Sequence, residues 1–477
     1  MATISDYDDL DAIDLARLVS TGSVSPEELL ETAITKVEQY NPALNAVVQT
    51  MYDQAREDIA RGLPEGPLRG VPFMLKNLGV LYEGVPTTNG SVLFRDFVPD
   101  HHSFLTERYR RAGLVIMGKT NTPEFGLSVT TEPLVHGATL NPWDTARSPG
   151  GSSGGASAVV ASRILPAVHA TDGGGSIRIP AACTGLFGLK PTRARTPIGP
   201  DLGEGWSGMS IGHALTRSVR DSALLLDIAS GPTDGDPYCA PPPARQFIEE
   251  VGADPGRLRI AFSSVAPNDV PVHEDCIKAV EDAAALCEEL GHEVTEAAPS
   301  MDMTLLIQAM RIIWGANTRA TVEVRYRALG KEPDGTDIEA VTWNLAKEGE
   351  KHSAADYARA IQVLHMTGRD MAAFLNGYDL FLTPTVAQPP WPLKALDMTD
   401  PDLDAYLYNL FAHIPFTAQF NATGQPAMSV PLYWNKEGLP VGVQFAGHFG
   451  DEATLFRLAA QLEHARPWHH RKPALVT

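Results

Sequence analysis

Strand-length and helix-length hydrophobic patterns follow one another along most of this chain. Short apolar runs predict buried β-strands at 70–77, 114–117, 164–170, 188–191, 258–262, 292–295, 378–383, 428–432 and 441–446. Apolar residues spaced three or four apart predict helices within 8–62, at 153–163 and 274–290, within 303–376, and after Asp451 near the end of the chain. Strands that alternate with helices in this way indicate an α/β fold.

Cap and turn residues set several of the boundaries. The sequence Ser-Pro-Glu-Glu at 25–28 combines a capping box with proline in the first helical turn, and the helix that it starts is expected to end near Tyr40, ahead of Pro42. A stretch rich in proline, glycine and aspartate at 230–256 predicts a long surface connection. A turn at 435–438 predicts that the two strands on either side of it pair with each other.

Composition and charge exclude several classes of protein. The chain has 477 residues, of which 44% are hydrophobic, and this favours a large packed core over disorder. A net charge of −20 disfavours binding to nucleic acids and to anionic membranes. The chain shows neither a signal-peptide pattern nor an apolar run of membrane-spanning length, and its four cysteines form no CxxC pair. We therefore expect a cytoplasmic protein with no nucleic-acid or membrane partner.

Two glycine-rich segments each carry a serine. SPGGSSGG, at 148–155, holds Ser152, and TDGGGS, at 171–176, holds Ser176, 24 positions later. Glycine is unfavourable inside helices and strands, so its clusters mark places where the backbone approaches another group closely. Two such clusters that each carry serine predict a site that presents hydroxyl groups and backbone N–H groups to a substrate. Lys76, at the end of an apolar run, is a third candidate.

Each of these residues also has a simpler structural interpretation. Lys76 alone is typical of a lysine that extends from a strand end into solvent. Ser152 alone is typical of a helix N-cap, since a helix is predicted directly after it. Ser176 alone is compatible with a cap of the following turn. These interpretations weaken when the three residues are considered together with the glycines that precede Ser176.

Two other kinds of site were weighed. A Ser-His-Asp triad would need His169, His213 or Asp172 as partners, and neither serine lies in a G-x-S-x-G turn. Residues 113–120 match the spacing of a Walker A loop, but the Leu-Val-Ile-Met within them is typical of a buried strand. A strand cannot wrap phosphate with its backbone, so nucleotide binding is not expected.

The segments around the two serines and the lysine closely resemble the amidase signature family. The resemblance runs through GVPFMLKN, GKTNTPEFG, TTEP with GATLNPW, SPGGSSGG, TDGGGSIRIPA, GLFGLKPT, and NATGQPAMSVP with GLPVGVQFAG, and it covers most of residues 5–465. It implies one amidase-signature domain, 1–477, with a central twisted mixed β-sheet that helices cover on both faces. The implied parts are an N-terminal helical region (1–65), a signature core (66–230), the remainder of the α/β core (257–300 and 377–477) and a helical insert near the site (301–376).

The resemblance also implies roles for individual residues. Ser176 matches the nucleophile, Ser152 matches a bridging serine that follows a cis peptide bond, and Lys76 matches the base. The implied oxyanion hole consists of the backbone N–H groups around Gly173, Gly174, Gly175 and Ser176, and the implied acyl-side lining consists of Gly126 and Ser128. No metal and no cofactor are implied.

Three further residues were assigned supporting roles. Asp172 is expected to orient the glycine loop by hydrogen bonding to the backbone of that loop, rather than to act as a base. Arg178 is expected to be structural, because the family pattern Ser-Ile-Arg places it there. Asn77 stands where many members of the family have an acidic residue, and this departure is expected to alter how Lys76 is held.

The chemistry is consistent with these roles. A serine hydroxyl is a weak nucleophile and needs a base. Free lysine titrates near pH ~10.4, so a neutral amine at physiological pH requires a strongly lowered pKa. Burial against the apolar residues 73–75 acts in that direction. The lysine hypothesis therefore predicts activity that rises toward alkaline pH.

The expected reaction is hydrolysis of a carbon–nitrogen amide bond. The segments NTPEFGLSVTTEP and GATLNPW look most like stand-alone amidases of the 6-aminohexanoate-cyclic-dimer hydrolase and aryl acylamidase branch, so carboxamides, aryl amides, nylon-type oligomers and carbamates (urethanes) are the candidate substrates. The first alternative is the amidase subunit of a tRNA-dependent amidotransferase, against which the TTEP segment and the lack of a basic face argue. The second is a non-catalytic binding protein. A homodimer is the default assembly.

Overall fold

The computed structural model describes residue 4 and residues 6–476. Its strands are β1 (Val47–Thr50), β2 (Pro72–Lys76), β3 (Val115–Thr120), β4 (Ala167–Asp172), β5 (Phe187–Lys190), β6 (Ile211–Thr216), β7 (Arg259–Phe262), β8 (Glu293–Glu296), β9 (Leu380–Pro384), β10 (Ala427–Trp434) and β11 (Pro440–Ala446). Its helices are α1 (Ala12–Ser20), α2 (Pro26–Leu44), α3 (Tyr52–Arg61), α4 (Phe104–Arg111), α5 (Gly154–Ala161), α6 (Arg178–Thr184), α7 (Val219–Ala229), α8 (Glu274–Glu289), α9 (Met303–Ala328), α10 (Ala340–Gly349), α11 (Ala354–Leu375), α12 (Leu403–His413), α13 (Ala418–Thr423) and α14 (Glu452–Ala465).

The strands form two sheets. The larger sheet has the order β4-β6-β5-β10-β11-β9-β7-β8, antiparallel from β4 to β9 and parallel from β9 to β8. The smaller sheet has the order β1-β3-β2, with β2 parallel to β3 and β1 antiparallel to it. The predicted α/β fold with a central mixed sheet is confirmed.

Side chains that alternate along the central strands give the large sheet two buried faces. On β10 and β11, Val430, Val443 and Phe445 join one apolar core, which α7, α8 and α14 cover. The residues between them point the other way, as the period of two requires. On that second face a methyl group on Gly442 would lie 2.7 Å from Ala182 of α6, so α6 packs directly on the sheet.

A layer of long helices lies beside the second face. Helices α9, α10 and α11 pack on one another, and α12 joins α10. Their apolar side chains share one core with residues 125–129 and with α6. Helices α9, α10 and α11 fall within the predicted insert, 301–376, and α12 lies outside it. The division of the chain into the parts of one domain stays a prediction.

The patterns at 8–62 and the implied region 1–65 indicated helix throughout the N-terminal region, but the structure also contains a strand there. Strand β1 lies within it and pairs with β3, with Gln49 opposite Lys119 and Thr50 opposite Gly118. The four residues of β1 are too few for a period of two to be distinguished from a helical pattern. The pairing to a strand far along the chain decides the conformation.

Helix α2 continues beyond its predicted end, to Leu44, with Pro42 inside it. Proline lacks one backbone donor, and this loss is small in a last helical turn whose other end groups are satisfied. Asn45, at φ 49°, donates its N–H to the carbonyl of Asn41. The side chain of Asn41 then accepts the N–H of Val47 at 2.8 Å. Asn45, rather than Pro42, ends the helix.

The sequence patterns missed α4, α6, β6, α7, α12 and α13. Strand β6 reads Ile-Gly-His-Ala-Leu-Thr, in which glycine and histidine interrupt the apolar run, yet every residue of it is buried between β4 and β5. Residues 115–120 of the segment with Walker A spacing, in contrast, are strand: β3 is buried throughout, and Lys119 Nζ donates to the carbonyl of Pro86 at 2.9 Å. This geometry agrees with the expectation that the segment does not bind a nucleotide.

Candidate active site

Lys76 is the last residue of β2, and its side chain is completely buried. Strand pairing holds it beside Thr120 of β3. Its Nζ lies 2.7 Å from Oγ of Ser152 and 2.9 Å from Oγ1 of Thr171, which is on β4. The backbone N–H of Lys76 donates to Nδ1 of His169, which is also on β4. The small sheet and the edge of the large sheet therefore meet at this lysine.

The burial of Lys76 changes its protonation. Removal from water disfavours the ammonium form and lowers the pKa of Lys76 to about 7, although the negative charge of Asp172 acts in the opposite direction. Both groups within hydrogen-bond distance of Nζ are neutral hydroxyls. A neutral amine can donate to one hydroxyl and accept from the other. The site thus holds an amine that changes protonation near neutral pH.

Ser152 lies in the loop that precedes α5. The peptide bond between Gly151 and Ser152 is cis, as the family resemblance implied. Helix α5 begins at Gly154 and no side chain caps it, so the helix-cap interpretation of Ser152 is wrong. Its hydroxyl binds Lys76 instead. A methyl group on Gly126 would come within 3.2 Å of Ser152 Oγ, which places Gly126 directly against this hydroxyl.

Ser176 lies in the loop between β4 and α6, and the side of this loop away from the pocket is anchored by polar contacts. Ile177 is at the N-cap position of α6, and the carboxylate of Asp172 accepts the N–H of Arg178, the first residue of the helix, at 3.4 Å, so the cap interpretation of Ser176 is wrong as well. The carboxylate of Asp172 accepts the N–H groups of Gly175 at 2.8 Å and Ile177 at 3.1 Å. Thr417 donates its hydroxyl to the carbonyl of Gly174 at 2.7 Å. Asp172 therefore orients the loop.

The glycines of this loop meet two different needs. Gly175 has φ 134°, and a methyl group there would lie 2.5 Å from Oγ1 of Thr417, so only glycine fits. Its N–H is taken by Asp172, which removes one of the four amides that the family resemblance implied for the oxyanion hole. Among the described residues, the amides of Gly174 and Ser176 have no acceptor.

Asp172 is held by a buried guanidinium. Arg178 is completely buried and contacts both carboxylate oxygens, at 3.0 and 2.9 Å. Its remaining donors reach the carbonyl of Thr417, Oε1 of Gln444 and Oδ1 of Asn421. Burial alone would raise the pKa of Asp172, but the charge and hydrogen bonds of Arg178 hold that pKa well below its usual range. Arg178 has the structural role that was expected of it.

The two histidines considered for a triad serve other contacts. His169 accepts from the backbone of Lys76, and burial lowers its pKa to about 3. His213 pairs with Ser222 at 2.9 Å.

Asn77 exchanges hydrogen bonds with Thr88, so its side chain positions the neighbouring loop rather than the lysine amine.

A pocket opens beside Ser176. Ser176 is 7% exposed, and Gly126, Ser128 and Gly174 share its pocket. The rest of the lining is aliphatic or aromatic and comes from the loop at 127–129, the 196–215 segment, α9, α10 and the α12 region: Leu127, Val129, Trp206, Trp314, Val341, Leu345, Tyr406, Leu407, Leu410 and Ile414. The predicted neighbours of the acyl group are thus in the pocket.

Sequence reasoning missed three contributors to this site. Thr171, which contacts Lys76, begins the TDGGGS segment and was available as a signal. Tyr406 lies on α12, which was not predicted, and its hydroxyl donates to the carbonyl of Leu127 at 3.2 Å. Trp314 was placed in the helical insert, but only the fold shows that it faces the pocket.

Comparison with known proteins places this geometry in a family. The family model described as Amidase matches residues 28–456, which is most of the chain. The chain belongs to the amidase signature family. As a member of it, this protein is a hydrolase that acts on carbon–nitrogen amide bonds.

Two relatives and two solved structures show the position of this amidase within the family. It is 37% identical over 479 residues to 6-aminohexanoate-cyclic-dimer hydrolase of Paenarthrobacter ureafaciens, covering 98% of this chain and 97% of the relative. It is 34% identical to an acylamidase of Rhodococcus erythropolis, and the alignment covers 98% of this chain and 97% of the relative. A structure of 6-aminohexanoate cyclic dimer hydrolase with substrate matches at TM-score 0.94, with 35% identity and 98% and 100% coverage. The A subunit of a glutamyl-tRNA(Gln) amidotransferase from Thermotoga maritima matches at 0.78, with 25% identity and 98% and 97% coverage.

Two kinds of feature are absent from the residues that the structure describes. Within them, no helix has both the length and the apolar character to cross a membrane. The same residues contain no group of three or more His, Cys, Asp or Glu side chains placed to hold a metal ion.

The Asp172–Arg178 pair generates a stability prediction for this amidase. Asp172→Asn leaves the Arg178 charge buried without its carboxylate, and we expect the free energy of unfolding to fall by about 3–5 kcal/mol. Urea denaturation monitored by circular dichroism measures this change. Asp53→Asn is the matched control, because it breaks an ion pair with Arg56 whose two side chains are 46% and 89% exposed, and little change is expected. Equal effects of the two substitutions would contradict the account.

Proposed function

We propose that this amidase hydrolyses its substrate through an acyl-enzyme on Ser176, with Ser152 and Lys76 as the proton relay. The observation that carries the proposal is the buried contact of 2.7 Å between Lys76 Nζ and Ser152 Oγ. No carboxylate binds this amine, and its pKa is lowered to about 7. An amine that is neutral near physiological pH is the base that a serine nucleophile requires.

The proton moves along a chain of three groups. Ser176 Oγ attacks the scissile carbonyl and gives its proton to Ser152 Oγ, and Ser152 gives its own proton to the lone pair of Lys76 Nζ. Thr171 meanwhile accepts a hydrogen bond from the amine, which directs the lone pair toward Ser152. The tetrahedral intermediate then collapses, the carbon–nitrogen bond breaks, Ser152 gives a proton to the leaving amine, and Lys76 returns its extra proton to Ser152. Water releases the acid by the same steps.

The charge that develops on the carbonyl oxygen needs N–H donors. The proposed oxyanion hole consists of the backbone amides of Gly173, Gly174 and Ser176, since the amide of Gly175 donates to Asp172. One such donor contributes roughly 3–4 kcal/mol to transition-state stabilisation. Asp172 and Thr417 fix the loop from behind, so these amides need no reorganisation when the charge forms.

The pocket supports a neutral, partly apolar substrate. The aromatic and aliphatic lining favours burial of a hydrocarbon or aryl group, and it contains no charged side chain that would recognise an ionic substrate. Aryl amides, nylon-type oligomers and carbamates fit this description, and two of the relatives carry the names of a cyclic-dimer hydrolase and an acylamidase. The acyl side is proposed to lie against Gly126 and Ser128.

The amidotransferase alternative has weaker support. The A subunit noted above is less similar than the stand-alone enzymes, with 25% identity against 37% for the cyclic-dimer hydrolase of Paenarthrobacter ureafaciens. Hydrolysis by the purified chain without partner subunits would separate the two functions. The cytoplasmic location and the homodimer stay predictions, and light scattering after size-exclusion chromatography tests the dimer.

The nucleophile is tested with a substrate panel. The purified enzyme is assayed on an aliphatic amide, an anilide, a lactam oligomer and a carbamate, and Ser176→Ala is expected to reduce kcat on every substrate that the wild type hydrolyses by at least ~10⁴-fold. Ser162→Ala is the matched control, since Ser162 is also buried but donates to Ala158 within α5. Undiminished hydrolysis by folded Ser176→Ala would refute the assignment, as would failure of a fluorophosphonate probe to label Ser176 in the wild type.

The pH dependence tests the base. Below about pH 7 Lys76 binds a proton and cannot accept another from Ser152; above it the amine is neutral. We therefore expect kcat/KM to rise with pH through an apparent pKa near 7 and then to level off. A profile measured by initial rates that stays flat down to pH ~5 would show that the active form does not need a neutral Lys76.

A further inference from the structure

Trp314 carries a polar group in the pocket that the proposed mechanism does not use. This residue of α9 is 6% exposed and lines the pocket together with Ser176. Its Nε1 is buried and has no hydrogen-bond partner among the described residues. An indole N–H can only donate, and buried donors in folded proteins are nearly always partnered. An unmatched donor in a substrate pocket therefore needs an acceptor from outside the protein.

The ring of Trp314 lies against the loop of the nucleophile. A methyl group on Gly174 would lie 3.8 Å from Cζ2 of Trp314, and a single ring carbon separates Cζ2 from Nε1. Nε1 is therefore two bonds from the ring atom that approaches this loop. A group bound there would lie in the same pocket as the scissile bond.

Neighbouring rings fix the orientation of Trp314. It stacks on Phe411, with an interplanar angle of 3° and 5.7 Å between ring centroids, and it packs against Trp206 at 5.6 Å. These contacts hinder rotation of the indole toward another acceptor. The donor is thus held in place before a substrate arrives.

Two other polar side chains of the pocket are matched within the protein. Ser128 Oγ lies 3.0 Å from Oγ1 of Thr130, and Tyr406 donates to the carbonyl of Leu127. Trp314 is therefore distinguished among these buried polar side chains by a donor that is left for the ligand.

We infer that Trp314 is a specificity-determining residue that donates a hydrogen bond to a second acceptor of the substrate, apart from the scissile carbonyl. The substrate class is then a neutral amide or carbamate whose apolar chain carries a further carbonyl oxygen, such as a diamide or a keto amide. This inference rests on the proposed function, since it assumes that the substrate occupies the pocket of Ser176. A site that binds such a carbonyl disfavours the methylene analogue, because the indole N–H stays unpaired.

The test uses chromogenic anilides that differ in one group. The 4-nitroanilide of hexanoic acid is compared with the 4-nitroanilides of its 3-, 4- and 5-oxo derivatives, and a parallel series places the ketone in the amine part. For the best-placed ketone, we expect wild-type kcat/KM to exceed that of the methylene analogue by about 5- to 30-fold, as one hydrogen bond to a buried donor allows. No preference for any ketone position would overturn the inference without need of a variant.

Trp314→Phe assigns the preference to the indole. Loss of ring area affects both members of a substrate pair and cancels in their ratio, so the ketone-to-methylene ratio is expected to fall to within about 2-fold of unity. Trp434→Phe is the matched control, because Trp434 also has an unpaired Nε1 but lies outside the pocket, and it should keep the wild-type ratio. An unchanged ratio in folded Trp314→Phe would overturn the inference. Failure of the wild type to hydrolyse any amide would instead overturn the proposed function.

Discussion

The removal of the Lys76 amine from water is the constraint on which the rest of this site depends. A lysine at a strand end ordinarily reaches solvent, but here two sheets and the loop of Ser152 enclose it. Its Nζ contacts two hydroxyls and no carboxylate, so burial is not offset by an ion pair. The same enclosure that lowers the pKa also fixes the distance to Ser152. The position of the Lys76 amine and its lowered pKa therefore have the same cause, which is burial.

A second buried cation, on the other side of the loop, shows the contrast. Asp172 neutralises the charge of Arg178 at 2.9 Å. The pair holds the backbone of the Ser176 loop, whereas the amine of Lys76 contacts two hydroxyls. One basic group is paired and structural, and the other is proposed to receive protons from the hydroxyl chain. Lysine and arginine are not interchangeable at these two positions, because only a guanidinium offers several donors in a fixed planar fork.

The active-site groups could be predicted further from the sequence than the pocket could. Lys76, Ser152 and Ser176 lie in short segments whose glycines and apolar residues are recognisable, and the structure brings Lys76 to Ser152 and opens Ser176 to a pocket. Their catalytic roles stay proposals. Asp172 was expected to bind the backbone of this loop, but which amide it takes depends on where its carboxylate points, so the loss of the Gly175 amide from the implied oxyanion hole was not foreseeable.

The elements that line the pocket were harder to foresee. Helix α12, which supplies Tyr406 and Leu410, has no strong period in the sequence, and it is fixed by packing on α10. Strand β6 lies outside the pocket lining but is decided in the same way, since it is paired between β4 and β5. Tertiary pairing overrides weak local patterns in such cases. Much of the pocket lining comes from α9, α10 and the α12 region, so the pocket was harder to predict than the reaction.

A direct titration of the Lys76 amine tests the central claim. The enzyme is labelled with ¹³C- and ¹⁵N-lysine, the side-chain Cε resonances are followed from pH 5 to 11, and the resonance that disappears in Lys76→Met identifies Lys76. This assignment is needed because burial also lowers the pKa values of Lys119 and Lys190 to about 7. The account predicts a midpoint near pH 7 for Lys76. A Lys76 amine that stays protonated to pH ~10, as free lysine does, would contradict it.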